Sequence, residues 1–225
     1  ASATWGNAAS VLVGDFLHSR AFEMMVEIGN LEVMGLLSKA TNGIAEGEVQ
    51  QLTYLRNPDI SEAMYFDVIY RKTALLFEVA AHSGVALSGA DTHVKIALQT
   101  YGKELGMAFQ LMDDVLDYEG KTGELGKNVG DDLAEGKVTL PLIIALASGS
   151  RDQHALIRSA ITDAEAEPDF EAIIEAVRLS GGIDRTIGQA QQHRDLALDQ
   201  LNMIDGSPFK TALSQLICLS VDRQT

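Results

Sequence analysis

The sequence predicts an all-α protein, and three observations carry that prediction. Of its 225 residues 46% are apolar, and Ala, Leu, Ile, Glu and Gln, all good helix formers, are plentiful. Only four prolines interrupt the chain, and aromatic residues, which favour strands, make up 6%. Capping residues such as Ser61, Asp91, Thr139 and Ser207 stand just ahead of apolar stretches, where a helix N-terminus needs a side-chain acceptor.

The elements follow in order. Residues 8–28 form a first helix, in which Asp15 and Arg20 exclude a membrane-spanning reading. Residues 32–52 form a second, ended by the turn Asn57-Pro58-Asp59-Ile60-Ser61. Ser61 caps a third helix that runs to about Ser83, and residues 84–90 read as a loop. Asp91 caps a long helix that reaches Tyr118; Gly102 and Gly106 within it, and Gly14 in the first helix, allow close helix packing. Residues 119–137 form a glycine-rich loop. Thr139 and Pro141 are a cap and first-turn pair for a helix ending near Gly149, and Ser207 and Pro208 repeat that pairing. Further helices cover 151–163, 169–180, 183–204 and 208–222. No internal repeat, low-complexity linker or composition shift divides the chain, so residues 1–225 read as one domain.

A formal charge of −15 argues against nucleic acid or an anionic membrane surface as partner. The lone cysteine, Cys218, excludes an internal disulfide and suits a reducing cytosol. No apolar run reaches membrane-spanning length and no secretion signal is visible, so the expected location is cytoplasmic.

The stretch Phe109-Gln110-Leu111-Met112-Asp113-Asp114-Val115-Leu116-Asp117 puts three carboxylates and an amide on an otherwise apolar helix. Asp113 and Asp117, four apart, share a face; Gln110 joins that face, and Asp114 flanks it about 100° around. Carboxylates gathered on such a helix repel one another and lose hydration, objections that a hard cation such as Mg²⁺ removes. The stretch from Gly126 to Pro141 follows, with Lys127 and Lys137 on a loop that glycines allow to turn tightly. Compact ammonium groups on long stems suit phosphate oxygens, so the two stretches together point to a metal-bridged polyphosphate. A solvated helix face and an ordinary surface loop are the bland alternative. The five histidines show no ligand spacing and read as surface or core residues.

Phe-Gln-x-x-Asp-Asp-x-x-Asp followed by Gly-Lys-x-x-Gly-x-Asp-Leu-x-Glu-Gly-Lys-x-Thr-Leu-Pro resembles the second aspartate-rich region of the trans-isoprenyl diphosphate synthases, the polyprenyl synthetase family. Trp5-Gly6-Asn7 with residues 13–17, Glu46-Gly47-Glu48-Val49-Gln50-Gln51-Leu52 and Tyr70-Arg71-Lys72-Thr73-Ala74 extend the likeness along the whole chain. The long-chain, octaprenyl-like members are the nearest in pattern. The family's first Asp-Asp-x-x-Asp motif and its following arginine pair are absent from the sequence, which opens at Ala1 without an initiator Met. The expectation is a C-terminal two-thirds or so of a longer enzyme, poorly active alone.

The resemblance implies an isoprenoid synthase-type helical bundle around a central cavity. It also implies Mg²⁺-dependent head-to-tail condensation of isopentenyl diphosphate with an allylic diphosphate such as farnesyl diphosphate. Asp113, Asp114 and Asp117 would hold the metal. Lys72, Lys127 and Lys137 would grip diphosphate; Thr73 and Gln110 would contact the allylic substrate, and Phe109 would pack by the isopentenyl group. Glu48 and Gln51 line the cavity in the family pattern, or form a plain polar helix face. Asp131 and Asp132 are open to contact with metal-bound water or to a structural role in the loop. Met25 and Leu37 are the expected floor of a product tunnel, within a stripe that equally suits an ordinary core. A homodimer through the first helices and a role in ubiquinone biosynthesis follow from the same resemblance. The alternatives are a non-catalytic prenyl synthase subunit and a terpene cyclase of the same fold.

Overall fold

The computed structural model describes residues 2–119, 130–163 and 169–222; among these there is no strand. A short turn of helix, α1 (Ser2–Trp5), precedes α2 (Asn7–Ile28), which stops at Gly29 in the left-handed region that glycine adopts without strain. The Asn30 side chain accepts the Val33 N–H at 3.1 Å and starts α3 (Leu31–Tyr54). Ser61 does the same for α4 (Glu62–Ile69), as the sequence predicts. From α4 the chain continues without a break through a π-helical turn, Tyr70–Ala74, into α5 (Leu75–Ser88).

Here the structure corrects the expected loop at 84–90. The helix carries on to Ser88 and turns only at Gly89, because Val85, 4% exposed, is packed into the interior and outweighs the weak helix propensity of Gly84. The long central helix, α6 (Thr92–Glu119), follows. After it come α7 (Asp131–Ala134), α8 (Leu140–Ser148), α9 (Arg151–Thr162), α10 (Phe170–Leu179), α11 (Gly182–Leu201) and α12 (Pro208–Val221). Pro141 and Pro208 sit in first turns as predicted. Thr139 precedes α8 in extended backbone, but its side chain does not cap the helix; its hydroxyl instead lies 3.4 Å from that of Tyr118.

α6 is the axis of the molecule, with α5 on one side and α11 on the other. Gly102 and Gly106 make the first approach possible. A Cβ on Gly102 would fall 2.5 Å from the Phe77 carbonyl oxygen, and one on Gly106 would fall 2.5 Å from the Ala74 Cα. Gly14 has nothing within 4 Å of such a Cβ, so the expected packing role does not apply to it within this chain. Leu111, Val115, Leu142, Ile144, Ile157, Ile161 and Val177 are buried in the core that α6 shares with α8, α9 and α10. His193 of α11, half-buried, contacts the buried Glu104 of α6, so this histidine is tied to a helix partner within the bundle.

Candidate active site

Lys72 and Thr73 lie on the π-turn, Gln110, Asp113 and Asp114 on α6, and Lys137 just after α7. The fold brings all six to one cavity of about 250 Å³. Gln51 and Tyr54 of α3, Tyr65, Val68 and Ile69 of α4, and Asp132 of α7 complete most of its wall. The cavity is therefore lined by both charged and apolar side chains. The π-turn matters to this geometry: an extra residue in one turn re-aims the side chains that follow, a device found often at functional sites.

Each polar group in the wall already has a partner. The Lys72 ammonium donates to Gln51 Oε1 at 2.8 Å and lies 3.2 Å from Glu48 Oε1. Lys137 donates to Asp132 Oδ1 at 3.0 Å and pairs with Glu135 Oε2 at 2.7 Å. Burial works against the Lys137 charge, yet Glu135 and Asp132 more than offset it and hold the ammonium above its ordinary range. The Lys137 ammonium is thus held in its charged form by the two carboxylates beside it.

Asp114 lines the same cavity but has both of its oxygens hydrogen-bonded within the chain. It is 2% exposed; Tyr65 donates to its Oδ2 at 2.5 Å and Gln110 Nε2 to its Oδ1 at 2.8 Å. Burial pushes its carboxyl from 3.8 up to about 7, with the two hydrogen bonds pulling back and the Asp132 and Asp113 charges adding to the rise. The cause is the 100° step along α6: with Asp113 on the cavity face, the next side chain turns toward Tyr65. Gln110, expected beside Asp113, bonds Asp114 instead, and its Oε1 accepts the Thr73 hydroxyl at 2.8 Å. The Asp117 side chain accepts the Asp132 N–H at 3.4 Å and its carbonyl accepts the Gly130 N–H at 2.9 Å, tying the end of α6 to α7.

The remaining expected residues are spread more widely. Phe109 packs on Phe77, ring centroids 5.4 Å apart, behind the cavity and outside its lining. Glu48 reaches the site only through Lys72. Met25 is buried and Leu37 half-buried, but neither lines this cavity, and Met24 of the same stripe is exposed. Lys127 lies outside the described residues. Tyr65 is the residue that sequence reasoning missed. Its signal was its place seven before Lys72, two turns earlier on one helical face.

The chain matches the polyprenyl synthetase family over residues 1–177. The chain belongs to that family. It is 46% identical to the octaprenyl diphosphate synthases of Haemophilus influenzae and Escherichia coli, over 99% of this chain and 68% and 69% of theirs. Among solved structures it resembles a polyprenyl synthase from Caulobacter crescentus, complexed with calcium and isoprenyl diphosphate, with a TM-score of 0.94 and 42% identity over 100% of this chain and 69% of that one. The all-α fold expected from the sequence is that of these neighbours, and the octaprenyl diphosphate synthase relatives agree with the long-chain expectation.

Whether the residues fit a divalent cation can be judged from their chemistry. Among the described residues no three of His, Cys, Asp and Glu form a ready-made metal cage. Mg²⁺ does not require one, since it binds through one or two carboxylates together with substrate phosphate and water. Asp113 in the cavity wall and Asp117 one turn along the same helix face fit that donor set, and Asp114 in the same wall has its oxygens bonded to Tyr65 and Gln110.

Proposed function

We propose that this site performs the prenyltransferase reaction of a long-chain trans-polyprenyl diphosphate synthase, joining isopentenyl diphosphate head-to-tail to an allylic diphosphate such as farnesyl diphosphate. The observation that carries the reading is one cavity lined by Lys72, Lys137 and Asp113 together with Tyr54, Val68 and Ile69. The 46% identity to octaprenyl diphosphate synthases supports a product of that length class. Asp113 and Lys137 in the cavity wall, together with the prenyl diphosphate synthase relatives, support this reading over a non-catalytic subunit or a cyclase.

Asp113 and Asp117 would hold Mg²⁺, which when bound neutralises charge on the departing diphosphate. Lys72 and Lys137 bind the diphosphate oxygens, releasing Glu48, Gln51, Asp132 and Glu135 as they do so. With the leaving group held, the allylic carbon–oxygen bond breaks, and Thr73 and Gln110 face the allylic cation with oxygen lone pairs. The double bond of isopentenyl diphosphate attacks that cation, and the proton then lost goes to the released diphosphate, which the same lysines retain. Val68, Ile69 and Tyr54 exclude water that would otherwise capture the cation. Met25 and Leu37 remain the proposed floor for the growing chain, on helices that border the bundle rather than on the reacting cavity itself.

The reading extends to a homodimer and to a cytoplasmic site of action, with octaprenyl-type product passing to ubiquinone biosynthesis. Val11, Leu12, Phe16 and Leu17 leave an apolar face of α2 exposed, which supports the first. No helix among the described residues is long and apolar enough to cross a membrane. A radiolabelled elongation assay on the full-length protein tests the activity. A ladder of polyprenyl products that requires isopentenyl diphosphate is expected; a cyclic hydrocarbon formed without it, or no product, contradicts the reading.

A further inference from the structure

We infer that the Tyr65 hydroxyl is a positioning group for prenyl transfer: it anchors Asp114, Asp114 orients the Gln110 amide, and Gln110 sets the direction of the Thr73 hydroxyl. The inference rests on the proposed prenyltransferase reading and adds to it a residue outside every motif noted in the sequence.

Three hydrogen bonds run in series from α4 through α6 to the π-turn. Tyr65 donates to Asp114 Oδ2 at 2.5 Å, Gln110 Nε2 donates to Asp114 Oδ1 at 2.8 Å, and Thr73 Oγ1 donates to Gln110 Oε1 at 2.8 Å. The direction of the series is set at its buried end. Gln110 turns its NH₂ toward Asp114 and its carbonyl oxygen toward Thr73, so that both halves of the amide are bonded. Thr73 is then the donor in its bond, and its lone pairs remain for the cavity. Reversing the amide would place N–H groups where the reacting carbon becomes positive.

Tyr65 is what keeps this end fixed. It is 4% exposed, with its ring edge-on to Phe66 at 5.3 Å, so its hydroxyl has little freedom. Without that hydroxyl, one oxygen of a buried carboxylate has no donor, and such an oxygen draws the nearest N–H toward itself. The nearest mobile N–H belongs to Gln110. Tyr65 and Thr73 also lie on one continuous helix, two turns apart, so the bond to Asp114 sets the register of the π-turn against α6.

The test is a steady-state analysis of the full-length protein with farnesyl and isopentenyl diphosphates. Tyr65→Phe is expected to lower kcat about tenfold, as leaving one buried polar oxygen without its donor implies, with both KM values within about twofold of wild type. In an Asp114→Asn background the same substitution is expected to lower kcat by less than about twofold, since the bond it acts through is already altered. An unchanged kcat in Tyr65→Phe, or equal losses in both backgrounds, overturns the positioning role. Should Tyr65→Phe not fold, the cycle is run between Asp114→Asn and Thr73→Val, where coupled effects are expected and independent ones overturn the series. A wild-type protein that fails to elongate refutes the prenyltransferase reading itself, whereas an active wild type with an unaffected Tyr65→Phe refutes only the inference.

Discussion

Asp114 is buried with both oxygens bonded, and burial, which disfavours the charge, pushes its carboxyl from 3.8 up to about 7. The sign of the linkage follows. Between those two values the folded protein holds a proton that the unfolded chain has released, so this group's contribution to stability is full below pH 4 and is lost as pH rises through about 7. Asp114→Asn removes the titration. Urea unfolding of metal-free protein at acid and at neutral pH is therefore expected to show Asp114→Asn gaining stability relative to wild type as pH rises. A difference independent of pH would contradict the assignment. This residue also marks a limit of what the sequence reveals. The spacing of Asp113 and Asp117 is enough to put them on one face. The helical step separates Asp114 from Asp113, but that Asp114 meets a tyrosine hydroxyl 49 residues away is encoded in no local pattern.

The helix that holds Lys72 and Thr73 is shaped by its fit to α6. Gly106 lies against Ala74, the last residue of the π-turn, closely enough that a Cβ would fall 2.5 Å from the Ala74 Cα. Gly106→Ala is expected to lower stability by about 1–3 kcal/mol, as overpacking a tight core contact does, and to displace the π-turn. Thermal melting together with KM for the allylic diphosphate checks both effects; a variant with wild-type melting and KM would show that this contact is soft. At this scale the sequence is most legible where chemistry is local. Ser61, Pro141 and Ser207-Pro208 mark helix starts that the structure keeps. The end of α5 is not legible, because Gly84 signals a stop while the burial of Val85 keeps the helix going. The π-turn has no sequence signal either, as it is a product of packing between α5, α6 and α3. Gly47 shows the same dependence: a Cβ there would lie 2.7 Å from the Arg71 Cβ, a contact known only once α3 is placed on the π-turn.

The whole molecule is a helical bundle with α6 at its centre and an acidic surface, yet its proposed substrates are anions. The site resolves the conflict locally, with two lysines and a carboxylate face suited to a divalent cation. The outer helix α2 has Met25 as its one buried residue, and Phe16 is 66% exposed there. Light scattering is expected to give twice the chain mass for the full-length wild type and a monomer for Phe16→Glu; a monomeric wild type would contradict the dimer. The central claim is that diphosphate is held through a divalent cation on Asp113 and Asp117, and calorimetric titration of the full-length protein with farnesyl diphosphate tests it most directly. Binding heat is expected with Mg²⁺, and is expected to vanish both without the ion and in Asp113→Asn. Equal binding with and without Mg²⁺, or binding unaffected by Asp113→Asn, would contradict the account.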